Sequence, residues 1–321
     1  MANLIYANAR AKALSKNLLG QDRLYRMVDS NSADECLKIL AEVNFGEGVS
    51  VSGAVDFENL ITAEEKKFFD FLKEESSPKD VAEYFLLKSD FHNAEVYIKA
   101  KHLRKDLEYM TVNDGTISKS RLKEKIYADE YRDLPKSMAS ALLFCDGEFV
   151  SGRADGSVVN TALTKAYFEE LYNISSKDAL LEKVFIHKVD CVNIGVALRC
   201  RNFAVAKEIF IPHGKLTLDQ LKSVCEDGLE NLKEQFRYTE YKDIISIAVD
   251  EKLKGLPLSG FEKVADTYAK TVIAKEKFST AKNLAFIDYC FSKTIELNNI
   301  RIVIVGLLNG LDKADIKRKL R

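Results

Sequence analysis

Phe85-Leu86-Leu87-Lys88-Ser89-Asp90-Phe91-His92-Asn93-Ala94-Glu95-Val96-Tyr97-Ile98 decides how this chain is read, because its framework returns twice. Phe, an acid five residues on, Asn three later and Ile or Leu five after that recur as Phe185-Asp190-Asn193-Leu198 and Phe291-Glu296-Asn299-Ile304. The second copy follows the first by 100 residues and the third follows the second by 106. Such a period exceeds the roughly 20–50 residues of units that stack into open solenoids. It predicts three similar helical domains, residues 1–122, 123–231 and 232–321, arranged with approximate threefold symmetry about a central opening.

The first two copies match beyond those four positions. Lys66 through Leu72 answers Lys165 through Leu171, and both runs lead to a serine pair, Ser76-Ser77 and Ser175-Ser176. Downstream, Gly115-Thr116-Ile117-Ser118 answers Gly214-Lys215-Leu216-Thr217, with Leu122 and Leu221 seven residues past each glycine. In the third copy Asp312 is the matching helix-start residue, but the connecting segment is missing.

Helix-start chemistry makes the chain all-α. Ser or Thr with an acid or amide three residues on can cap orphan backbone N–H groups reciprocally, as at Ser32/Glu35, Thr62/Glu65 and Thr217/Gln220. Ser77-Pro78 is a further start, since Pro loses nothing at a first helical position. Apolar residues recur at helix spacing in Phe68, Phe69, Phe71 and Leu72 and again in Val81, Tyr84, Phe85 and Leu87. Asp90, Asp190 and Glu296 are expected to cap or begin helices, with Asn93, Asn193 and Asn299 bonding across to the preceding helix. The competing reading places the three Asn around a shared axis as partner contacts.

Composition excludes several classes. The 321 residues are 46% hydrophobic and 30% charged, with a net charge of -1, which describes a globular chain and gives no basis for nucleic-acid binding. The longest apolar run, Ile302 through Leu308, is far short of a membrane span, and the first ten residues lack a secretory pattern. Six scattered cysteines without a Cys-x-x-Cys pair read as reduced, mostly buried thiols, and the four histidines form no close ligand set. There is no phosphate loop, and Gly147, Gly152 and Gly156 are misspaced for a dinucleotide fingerprint, so residues 145–152 read as a loop between helices. No cofactor, metal, small-molecule substrate or catalytic residue is expected. Charge is uneven, at +4 over residues 1–26 and -9 over residues 27–85, so the molecule can show opposite signs to different partners.

Four segments carry a family resemblance: Tyr6-Ala7-Asn8-Ala9-Arg10-Ala11-Lys12, the Asp90 segment, the Asp190 segment, and Asn298-Asn299-Ile300-Arg301-Ile302-Val303 through Gly306-Leu307-Leu308-Asn309-Gly310 to the basic end. The chain resembles the C-subunit family of V-type (A-type) ATPases and synthases. That resemblance implies an all-helical, funnel-like protein of three similar domains, peripheral on the cytoplasmic side of the membrane. It would be a non-catalytic rotor adaptor between the membrane rotor ring of proteolipid subunits and the central-stalk subunits D and F, coupling ATP to H+ or Na+ transport. The alternative is a free-standing helical-repeat scaffold unrelated to rotary ATPases. Basic residues flanking the repeated Asn are the expected partner contacts: Lys99 and Lys101, their equivalents Arg199 and Arg201, and Arg301.

Overall fold

The computed structural model describes residues 2–276 and 282–321, and among these the secondary structure is helical, without strands. The chain order is α1 (Ala2–Ser15), α2 (Gly20–Asp29), α3 (Ala33–Ala41), α4 (Phe57–Leu72), α5 (Lys79–Leu103), α6 (Lys119–Tyr127), α7 (Lys136–Val150) and α8 (Gly156–Ser175). It continues through α9 (Ala179–Cys200), α10 (Phe203–Ile209), α11 (Leu218–Glu226), α12 (Leu229–Gln235), α13 (Lys242–Leu253), α14 (Ser259–Lys275), α15 (Leu284–Leu308) and α16 (Lys313–Lys319). The three framework copies lie within the long helices α5, α9 and α15.

Local chemistry sets the helix ends. Ser32 accepts the Glu35 N–H, and Thr217 and Gln220 complete a reciprocal capping box. Asp155 and Asp178 each take two N–H groups at the starts of α8 and α9. Ser77-Pro78 leads directly into α5, while the Ser77 hydroxyl donates to Phe71 O at 2.8 Å and ties off the end of α4. Thr62 caps nothing, because α4 has already begun at Phe57 after a 3-10 turn. Residues 145–150 are helix rather than loop: Cys145 is on the buried face of α7, and Asp146 accepts from Tyr131 and His102, each at 2.5 Å.

The acids of the repeat do not begin helices. Each sits mid-helix, buried, and receives backbone N–H groups just ahead of a different, shorter helix. Asp90 accepts from Thr116 N at 2.9 Å, Ile117 N at 3.0 Å and the Thr116 hydroxyl at 2.6 Å, immediately before α6. Asp190 accepts from Lys215 N and Leu216 N, both at 3.0 Å, before α11, and also from the Tyr241 hydroxyl. Glu296 accepts from Leu19 N at 2.5 Å, before α2. A carboxylate near a helix N-terminus meets both its orphan donors and its positive dipole end. Gly115 and Gly214 are required by this approach, because a Cβ at either would collide with Oδ1 of Asp90 or Asp190.

Each Asn bonds both groups of a single backbone residue, and only a side-chain amide presents an acceptor and a donor side by side. Asn193 accepts from Ile211 N and donates to Ile211 O, both at 2.8 Å. Asn299 does the same at Arg321, at 2.7 and 2.8 Å. Asn93 accepts from Val112 N at 2.9 Å and donates to Val112 O at a longer 3.4 Å. All six framework acids and amides are buried; five find these partners in segments that return after the long helix, and Glu296 finds its partner at Leu19, none of them in the preceding helix.

The third copy is completed by the start of the chain. Leu19 through Ile61 and Leu297 through Leu320 share one hydrophobic core, with α2 beside α15 where α6 and α11 stand beside α5 and α9. Lys293, buried beside Glu296, bonds it at 2.6 Å and Glu64 at 3.0 Å, so the buried charges are paired. Asn8 on α1 accepts Phe286 N at 3.1 Å, capping α15 from another helix. The largest core joins α1, α4 to α9, α14 and the first half of α15 through aromatic contacts such as Phe71–Phe286, with ring centroids 5.1 Å apart, and Phe85–Phe291 at 4.9 Å. A third core gathers α10 to α13 against the second half of α9.

The clasps generate a graded prediction. Asn193→Ala should cost about 3 kcal/mol, since it orphans a buried N–H and a buried C=O, and Asn93→Ala should cost about half as much, its amide bonds being longer. Urea unfolding of the purified variants checks this, and an Asn93→Ala loss equal to or above that of Asn193→Ala would contradict it.

Candidate functional site

A cleft of about 530 Å³ opens between the three long helices. Its walls come from α5 (Tyr84, Phe85, Lys88), α9 (Lys188, Val192, Arg199) and α15 (Phe291, Thr294, Asn298), with further residues from α4, α8 and α14. The position follows from the repeat: the helix faces that carry the clasps turn toward the returning segments, and adjoining faces of the same helices meet in the middle. Phe68 and Phe85 meet edge to face at 6.3 Å, and Tyr84 packs against Phe291 at 6.1 Å, giving a rigid aromatic wall.

Charge in the cleft is largely consumed within the chain. Arg199 pairs with Glu262 at 2.7 Å, Arg301 grips Glu58 through two bonds of 2.8 and 3.0 Å, and Arg321 pairs with Asp266 at 2.8 Å. Lys188 is different: it donates to the Tyr167 hydroxyl at 3.3 Å and lies 5.5 Å from the Tyr167 ring centroid and 5.6 Å from that of Phe168. Neither Lys188 nor the exposed Lys88 has a carboxylate partner among the described residues.

The five basic residues singled out from the sequence are not brought together. Arg199 and Arg301 line the cleft, whereas Lys99, Lys101 and Arg201 do not. Lys99 pairs with Glu95 one turn back at 2.5 Å. Lys101 is held by Asp129 and by Asp146, the latter at 3.2 Å. Arg201 ends α9 in the left-handed conformation, φ 49°, and donates to Val224 O at 3.0 Å and Asp227 O at 2.8 Å, closing the C-terminus of α11. Sequence reasoning missed Lys88 and Lys188, although their common place three residues past Phe85 and Phe185 was available as a signal.

The chemistry on offer is that of contact. Burial pushes the Cys145 thiol up to about 11 and raises that of Cys191 on the cleft wall, so neither is an activated thiolate. Among the described residues no cluster of His, Cys, Asp or Glu is placed to hold a metal ion, and no helix is long and apolar enough to cross a membrane.

Fold and cleft together define an all-helical repeat protein assembled around three clasped long helices. The chain belongs to the ATP synthase (C/AC39) subunit family, whose model matches residues 7–319. It is 22% identical to the C subunit of the V-type sodium ATPase of Enterococcus hirae, over 95% of this chain and 94% of that protein. It is 26% identical to the C subunit of the A-type ATP synthase of Thermococcus kodakarensis, over 97% and 88% of the two chains. The C subunit of the V-type ATP synthase of Thermus thermophilus is 21% identical over 82% and 79%.

Beside the cleft, His187 on α9 stacks between Tyr268, 3.4 Å away by ring centroids, and Tyr241 at 5.7 Å, and neither ring nitrogen has a hydrogen-bond partner among the described residues. Burial lowers its pKa to about 4, against a small opposing pull from Glu240. The unfolded chain protonates this residue near pH 6.5, so stability falls as pH drops from there to the native value, by about 3 kcal/mol at pH 4. His187→Phe keeps the stack and should flatten that part of the stability profile. Equal pH slopes for wild type and variant between pH 7 and 4 would rule this out.

Proposed function

We propose that this chain is the rotor adaptor of a V-type or A-type rotary ATPase, a non-catalytic subunit that links the central stalk, subunits D and F, to the proteolipid ring in the membrane. The observation that carries the reading is the family match along almost the whole chain, to relatives named as C subunits of a sodium ATPase and of ATP synthases. In this reading the three repeat units surround the cleft in a pseudo-threefold, funnel-like arrangement, with divisions near residues 122 and 231. The protein is peripheral, on the cytoplasmic side of the membrane, and transmits torque while ATP hydrolysis or synthesis is coupled to H+ or Na+ movement.

A torque-bearing adaptor needs stiffness, and close-packed interiors transmit strain. The buried clasps and the aromatic core supply the kind of body that such a role requires. Arg199 and Arg301, on the cleft walls, are the two of the five proposed basic contacts best situated for the stalk, and Lys99, Lys101 and Arg201 would then meet a partner only on the outer surface. Uneven charge along the chain would orient the partners as they approach.

Co-sedimentation with a detergent-solubilised rotor ring, and separately with the isolated central stalk, tests the assignment across a salt series. Binding to both, weakening as salt rises, is expected. Binding to neither by a protein with full helical content would favour a free-standing repeat scaffold instead.

A further inference from the structure

Lys88, Lys188 and Thr294 occupy one position of the repeat, three residues past Phe85, Phe185 and Phe291, and all three line the central cleft. Among the described residues it is the only framework-aligned position that α5, α9 and α15 each contribute to that lining. The arginines of the cleft are neutralised inside the chain, whereas these two lysines form no direct ion pair with a carboxylate among the described residues, Asp266 acting on Lys188 only from farther away. Lys188 rests on the Tyr167 and Phe168 rings, with a tyrosine hydroxyl as its bonded partner. Holding a half-buried ammonium group without a directly paired carboxylate is unfavourable, and its field is less screened than that of a surface lysine. With Glu65 the one wall carboxylate that no basic residue pairs among the described residues, the two lysines leave an excess of positive charge in the cleft.

We propose that the cleft receives an acidic end of a protein partner, whose carboxylates pair with Lys88 and Lys188. The inference rests on the adaptor reading and specifies the chemistry of its stalk contact. About 530 Å³ holds the tip of one chain element rather than a packed domain. Phe85 and Phe291 on the same walls exclude water around the ion pairs, which strengthens them. Because the third equivalent position is the uncharged Thr294, the level carries charge on two sides only, and an acidic insert is favoured in one rotational orientation. A joint that carries torque requires such a fixed orientation.

The test is calorimetric titration of the full chain with the isolated stalk subunits of its own complex at low and high ionic strength. Lys88→Glu, an exposed substitution, should weaken binding at least tenfold at low salt and much less at high salt. Lys188→Met, which keeps the packing on Tyr167, should weaken it severalfold, while Lys233→Glu on α12, a residue paired with Asp250 at 2.6 Å, should leave affinity unchanged. Thermal melts establish that each variant is folded. Wild-type binding that both cleft variants preserve would overturn the inference and leave the adaptor reading standing. No binding of the wild type would overturn the adaptor reading, and the inference with it. Saturation of the two lysines by inorganic phosphate, without competition against the stalk, would assign the site to a small anion and also overturn the inference.

Discussion

The structure depends on a pair of polar side chains, three residues apart, buried in the middle of each long helix. Placing Asp90, Asn93 and their counterparts inside a core would destabilise the fold if they were unpartnered, at about 1–3 kcal/mol for each unsatisfied group. Each is bonded to the backbone of a segment outside its long helix: the chain that returns after the helix for five of them, and Leu19 in the N-terminal part of the chain for Glu296. The amide fixes one backbone residue through both its groups, and the carboxylate fixes the entry to a short helix, α6, α11 or α2. Apolar packing alone would allow the returning segment to slide, and directional bonds at two points define a single register.

That constraint organises the remainder of the molecule. With the clasping faces turned toward their own short helices, the adjoining faces of α5, α9 and α15 are left to form the aromatic core and the cleft. The chain also closes on itself: α2 approaches Glu296 as α6 and α11 approach Asp90 and Asp190, and residues 19–61 share a core with residues 297–320. Glu296 is one methylene longer than its counterparts, so its reach to Leu19 places no demand for glycine on the approaching backbone. Joining α2 to α4 and the second half of α15 in one core stiffens the body against shear, as the proposed adaptor role requires.

Much of the helical architecture is legible in the sequence because caps and apolar periodicity are local properties. Ser32, Thr217 and Ser77-Pro78 mark true helix starts, and the Phe–acid–Asn framework marks the three long helices. The roles of Asp90, Asp190 and Glu296 are not legible in this way, because a carboxylate that caps its own helix and one that serves a distant segment have the same local sequence. Thr62 misleads for a related reason, since a capping pattern inside α4 has no free N–H groups to serve. The cleft is less legible still: whether Lys101 is neutralised and Lys188 is not depends on residues far away, Asp129 and Asp146 beside the one and Tyr167 beside the other.

The central claim, that the cleft between the long helices is where the stalk is held, is tested most directly by photo-crosslinking within the assembled ATPase, with a photoreactive amino acid in place of Thr294. The account predicts an efficient crosslink to the central stalk through an acidic segment. A crosslink to a stationary part of the complex, or none to the stalk in a complex that assembles and turns over normally, would contradict it.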